Sequence, residues 1–151
     1  MTPFIKPRGE GECLNVLGES IRILVDGAAS DGTLLVFEEV SPPGGGPPLH
    51  RHAREEEWFY VIDGTVKFSV DGHESVVGAG GFVFAPRGSR HTFLNVSDGP
   101  SRMLIGCRPA GLEGPFRACD RMAREGKLTP DSVAAAFRAI DLEFIGPPLK
   151  K

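Results

Sequence analysis

Turn-forming residues interrupt this chain so often that only short elements fit between them. Gly18-Glu19, Gly27 to Gly32, Ser41 to Pro48, Asp63-Gly64, Asp71-Gly72, Gly78 to Gly81, Pro86 to Gly88 and Ser97 to Pro100 each break an apolar run. The 151 residues include 20 Gly and 13 Pro, together about 22% against a usual ~12%. The runs between the breaks are rich in β-formers. They cover 14–25 (broken at Gly18-Glu19), 33–40, 58–62, 65–70, 74–77, 82–85, 91–96 and 102–107. Asp-Gly between two such runs is a strong hairpin signal. Short strands at this spacing point to an all-β barrel or sandwich. Ser41-Pro-Pro-Gly-Gly-Gly-Pro-Pro48 can be neither helix nor central strand, and reads as a stiff loop.

The pattern changes after Pro109. Phe116, Cys119, Met122 and Ala123 fall on one face of a helix, with Pro115 in its first turn and Gly126 at its end. A second helix opens at Thr129 as N-cap with Pro130 behind it, and Val133, Ala136, Phe137 and Ile140 form its apolar face. The expected organisation is one domain over 1–151, with a barrel core at about 14–109 and a helical extension at about 113–151 that covers one end or edge of the barrel.

Charge and composition exclude several function classes. The net charge is -3 and the pI near 5.8, whereas a nucleic-acid-binding domain commonly has a pI above about 9. No apolar stretch approaches the ~18 residues of a membrane-crossing helix. The first residues carry no apolar core of the signal-peptide type. Cys13, Cys107 and Cys119 are odd in number and far apart, which suggests free thiols and a cytoplasmic setting. Neither a nucleic-acid nor a membrane partner is expected.

The chemistry concentrates in three of the four histidines. His50 and His52 are two apart, so on a strand they share a face. Glu57 follows at an odd offset, but Ala53-Arg-Glu-Glu56 can turn the chain and return Glu57 to the same interior. His91 opens a strand of its own beyond the Pro86-Arg-Gly88 turn, and a barrel can bring it to the others. Three neutral imidazoles and one carboxylate suit a divalent ion such as Fe, Mn, Ni, Zn or Cu. An ion that prefers six ligands would keep open positions there, as catalytic sites do.

The spacing resembles the two signature motifs of the cupin superfamily. Gly44, His50-x-His52, Glu57 and Gly64 fill the first motif, and Gly80, Pro86-x-Gly88, His91 and Asn95 fill the second. More loosely, the run from about Leu14 to Gly114 is similar to single-domain cupins grouped with quercetin 2,3-dioxygenase-like proteins. The resemblance implies a six-to-ten-stranded antiparallel jelly-roll barrel, with one metal ion held by His50, His52, Glu57 and His91. It also implies a homodimer acting on a small molecule. It leaves the reaction open, because the superfamily includes dioxygenases, isomerases, decarboxylases and non-catalytic binders.

Two function classes follow. One is a metal-dependent dioxygenase-like enzyme acting on an enolisable or aromatic substrate, with Glu57 doubling as general base. The other is a binding protein that holds a ligand or metal without chemistry; a metal-dependent isomerase or decarboxylase is a further alternative. Remaining residues are read structurally. Glu55 and Glu56 are expected to be solvated neighbours of Glu57, and His73 and Arg87 exposed. Asn95 is expected to make structural hydrogen bonds, and Cys107 to be a small buried hydrophobe. Strand parity places Phe59, Phe93 and Phe82 or Phe84 beside the metal.

Overall fold

The computed structural model describes residues 1–151. Eleven strands and two helices follow in order: β1 (Glu12–Val16), β2 (Glu19–Val25), β3 (Leu35–Ser41), β4 (Pro48–His52), β5 (Glu56–Asp63), β6 (Thr65–Val70), β7 (His73–Gly78), β8 (Phe82–Ala85), β9 (Arg90–Asn95), β10 (Ser101–Arg108), α1 (Glu113–Arg124), α2 (Pro130–Arg138) and β11 (Leu142–Pro148). The strands form two antiparallel sheets, ordered β1-β2-β3-β10-β5-β8 and β11-β4-β9-β6-β7. Their inner faces pack together as a jelly roll, the fold class expected from the sequence.

The turns act where the sequence places them. Asp71 and Gly72 both take positive φ, 48° and 84°, and close a two-residue hairpin between Val70 and His73. This is the turn whose twist matches that of its strands. The β1–β2 hairpin closes at Leu17 and Gly18, one residue earlier than the Gly18-Glu19 break, and Glu19 becomes the first residue of β2. Alternation then sorts the side chains. Along β3, Leu35, Phe37, Glu39 and Ser41 point inward while Val36, Glu38 and Val40 face outward. Phe37, Phe59, Val61, Met103 and Ile105 are almost fully buried between the sheets.

The helices form where expected. Thr129 and Ser132 cap α2 reciprocally, each backbone N–H donating to the other's hydroxyl at 2.9 and 3.0 Å. A file of aromatic rings joins them to the barrel. Phe37 meets Phe116 at 5.2 Å between centroids, Phe116 meets Phe137 at 6.2 Å, and Phe137 meets Phe144 at 5.4 Å. Glu113 anchors the start of α1, accepting from the backbone N–H groups of Gly27 and Gly111, both at 2.8 Å.

The stretch 113–151 is not helical throughout. Leu142–Pro148 forms β11 and pairs with β4, setting Leu142 beside His52 and Phe144 beside His50. Gly146, Pro147 and Pro148 hide this strand from a reading by propensity. They are tolerated because β11 is an edge strand, where an absent N–H breaks no ladder.

Gly106 of β10 lies level with Trp58 of β5, and a Cβ there would overlap the indole ring. Gly106→Ala is therefore expected to lower unfolding stability by about 1–3 kcal/mol, as overpacking does. Urea denaturation of the two proteins measures this.

Candidate metal centre

Both sheets contribute to the site. β4 points His50 and His52 inward, and β9 sets His91 directly across from His50 in the antiparallel register. Glu57 enters from β5 in the opposite sheet. Two loop contacts fix the strand ends. The Gly88 N–H donates to the His52 carbonyl at 2.8 Å, and Gly44 and Gly45 exchange backbone hydrogen bonds with Asn95, both 2.9 Å. Gly46 passes so close to the Phe93 carbonyl that any Cβ would overlap it.

One potential ligand atom from each of His50, His52, Glu57 and His91 lies within 4.8 Å of the others. All four residues are buried, from 2% exposed at His52 to 7% at His50. Glu57 Oε2 sits 3.0 Å from His52 Nε2 and 3.2 Å from His91 Nε2. The outward nitrogens are engaged. His50 Nδ1 reaches the Pro48 carbonyl at 2.9 Å, His52 Nδ1 the Glu55 carboxylate at 3.3 Å, and His91 Nδ1 the Ser89 carbonyl at 3.4 Å. Carbonyl and carboxylate oxygens only accept, so each Nδ1 carries a hydrogen. Nε2 is then the atom each ring turns inward. His52 Nε2 is buried against Glu57 Oε2 without the geometry of a hydrogen bond. The four side chains form a set that could hold a metal ion.

The electrostatics agree with the geometry. Burial and the neighbouring His91 and His52 push the His50 pKa down to about 3, keeping it neutral. Burial alone would lower His52 as well, but Glu57 and the Glu55 hydrogen bond lift it to about 9. Glu57 shows the reverse: burial pushes it up, and the close approach of His52 and His91 holds it well below the usual carboxylate range. Without a metal, Glu57 and His52 form a buried ion pair. A cation held there would take the place of the His52 proton, since imidazole binds metal only when neutral.

The set faces a cavity of about 150 Å³. Phe37, Phe59, Phe93, Phe116, Phe137 and Phe144 form its apolar wall, and His50, His52 and Glu57 one polar side. Phe59 and Phe93 lie where strand parity placed them. Phe82 and Phe84 do not: they are 60% and 49% exposed on the outer face, and Phe82 stacks on Trp58 at 6.3 Å. Asn95 makes the expected structural bonds, donating to the carbonyls of Ser41 at 3.0 Å and Gly99 at 2.9 Å. His73 and Arg87 are exposed and Cys107 is buried.

Glu55 corrects an expectation. It is 2% exposed rather than solvated, and it orients His52. Three consecutive acids, Glu55 to Glu57, conceal this; the signal was its i+3 spacing from His52. Two further acids escaped the sequence reading altogether. Glu19 and Glu39 are each only 7% exposed and line the same cavity. An outer partner of a ligating histidine is typically worth 10–100-fold in metal affinity. Glu55→Ala is therefore expected to weaken divalent-metal binding about 10–100-fold without disturbing the fold. Metal titration followed by calorimetry, with circular dichroism as the fold control, checks it.

Comparison with known proteins agrees with this picture. The cupin domain family model matches residues 37–106, which contain all four clustered residues. Quercetin 2,3-dioxygenase of Bacillus subtilis (strain 168) is 26% identical over 153 residues, covering 96% of this chain. The chain spans 45% of that relative's length. The structure of KdgF from Halomonas sp. superposes with a TM-score of 0.67 at 18% identity, covering 74% of this chain and 98% of that one. The polyketide cyclase RemF from Streptomyces resistomycificus gives a TM-score of 0.60 at 23% identity, covering 72% and 80%. At these identities the two structures speak for the fold alone. The matched family model, with both signature motifs complete inside it, identifies residues 37–106 as a cupin domain within the jelly-roll fold.

Proposed function

We propose that the protein is a mononuclear metal-dependent oxidoreductase, dioxygenase-like, acting on a small enolisable or aromatic molecule. The observation that carries this reading is the cluster of three imidazoles and one carboxylate within 4.8 Å of one another, of which His50, His52 and Glu57 line a phenylalanine-walled cavity. The relation to a quercetin 2,3-dioxygenase supports the reaction class. His50, His52, His91 and Glu57 would hold one divalent ion, whether Fe, Mn, Ni, Zn or Cu. When bound, the ion supplies Lewis acidity toward a substrate oxygen and open positions beside it. Glu57, ligating through one oxygen, keeps the other free to take the proton of an enol or phenol. The aromatic wall and the covering helices exclude water from that transfer. A cavity near 150 Å³ is the size that accommodates a benzene ring. The substrate is therefore closer to one ring, or to a short β-dicarbonyl, than to a three-ring flavonol.

Oxygen uptake tests the reading. Protein loaded in turn with Fe(II), Mn(II), Ni(II) or Cu(II) is offered pentane-2,4-dione, cyclohexane-1,3-dione and catechol. At least one pairing is expected to consume oxygen. His91→Ala should abolish uptake and lower metal content by more than the 10–100-fold that an outer partner costs, while the barrel stays folded. No uptake with any pairing overturns the oxygenase assignment. Turnover that persists without oxygen would assign an isomerase or decarboxylase instead.

A homodimer is part of the same proposal. Edge strand β8 and its neighbour β5 expose Phe82, Phe84, Tyr60 and Ile62 together on one outer face, and grouped exposed apolar side chains mark interaction surfaces. Sedimentation should give a dimer for the native chain and a monomer for Phe84→Glu; a native monomer would refute it. The three cysteines, all free thiols, fit a reducing, cytoplasmic setting.

A further inference from the structure

The metal-facing residues leave two buried carboxyl groups of the same cavity unexplained. Glu39 comes from β3 and Glu19 from β2. Ser20 lies level with Val40, so Glu19 and Glu39 are diagonal neighbours on adjacent strands. Both line the cavity and both are 7% exposed. Glu19 Oε2 is buried without a hydrogen-bond partner. No hydrogen bond holds Glu39, whose only charged influences are Glu19 and Glu57. No Lys or Arg lines the cavity. A polar group buried in this way costs free energy unless something satisfies it, so these side chains are poised for an occupant.

Their position says which part of the occupant. Cys107 of β10 lies level with Glu57 on one side and Leu35 on the other. Met103 lies level with Val61 and Glu39. Glu39 is thus four residues further along the barrel than the level of Glu57, about 13 Å along the backbone at ~3.3 Å per residue. The cavity has a cation-facing end and a carboxyl end, with phenylalanine rings between.

We infer that Glu39, supported by Glu19, is a second recognition point that hydrogen-bonds an uncharged oxygen on the side of the substrate away from His50, His52 and His91. This rests on the proposed function for the group that faces the metal end. Three carboxyls share one small cavity, and Glu57 is the one beside the imidazoles. Burial, with Glu19 and Glu57 nearby, keeps the proton on Glu39, so Glu39 donates to an acceptor oxygen. The ligand class is a single ring or short dicarbonyl with oxygen at both ends. An anionic group at the Glu39 end finds no counter-charge and is rejected.

Calorimetric binding to the Mn(II)-loaded protein tests this, with 4-hydroxybenzaldehyde and 4-methylphenol as probes. They share the phenol and differ in the far oxygen. The native protein should prefer the aldehyde about tenfold, the scale of one hydrogen bond to a buried partner. Glu39→Leu should bring the ratio to about one with 4-methylphenol affinity kept, and Glu39→Gln, which retains an N–H donor, should preserve the preference. 4-Hydroxybenzoate should bind more weakly than the aldehyde. Replacing a buried acid by an apolar residue of similar size is commonly neutral or stabilising; Glu39→Met serves if the leucine variant fails to fold. An unchanged ratio in Glu39→Leu, or no binding of either probe to the native protein, overturns the inference. Binding with the expected ratio but no oxygen uptake supports it and removes only the oxygenase reading.

Discussion

A carboxylate held ionised inside a protein is expensive, and the structure around Glu57 is arranged to make that possible. The cost of removing a carboxylate from water amounts to several kcal/mol even after relaxation. It is met only because His52 and His91 approach Oε2 within 3.0 and 3.2 Å. Those approaches depend in turn on backbone placement. The β4–β9 register puts His50 opposite His91, and the carbonyls of Pro48 and Ser89 fix the rings. Glu55 holds His52 from behind, so two carboxylates grip one imidazole. The arrangement satisfies itself through protons, and a divalent cation offers the same groups a stronger common partner.

The apolar half of the cavity follows from that polar half. Electrostatic interactions of this kind strengthen as water is excluded, and the aromatic file from Phe37 through Phe116 and Phe137 to Phe144 provides the exclusion. The C-terminal segment is therefore more than a cover. Its helices supply cavity wall, and β11 lies along β4, the strand that carries two of the clustered histidines. Chain that looks peripheral in sequence is structurally part of the site.

How much could be read in advance varied with the kind of information. The hairpin turn at Asp71-Gly72, the cap at Thr129 and the paired histidines are local features, and each appears where its residues place it. Asp63-Gly64 ends a strand as expected but closes no hairpin: β5 and β6 belong to different sheets, so the turn carries the chain from one sheet to the other. The inner face of a strand is a different question. On β3 both parities read alike, since Leu34 and Val36 match Leu35 and Phe37, and Glu38 stands beside Glu39. Nothing local says that Glu38 meets Arg22 and Arg102 outside while Glu39 points into the cavity. The same ambiguity sent Phe82 and Phe84 inward in expectation. The structure turns Val83 and Ala85 in and leaves the two rings outside, Phe82 against Trp58.

The sequence by itself determined the punctuation of the strands, the cupin motifs and the identity of the clustered residues His50, His52, Glu57 and His91. Short-range dihedral preference and a fixed spacing along the backbone are enough for that. Only the tertiary structure decided that Glu55 is buried, that Glu19 and Glu39 share the cavity, and that 142–148 closes a sheet. Burial is conferred by strands distant in the chain. A carboxyl group has the same local signature whether it meets water or a ring of phenylalanines, and its environment is set by what folds against it.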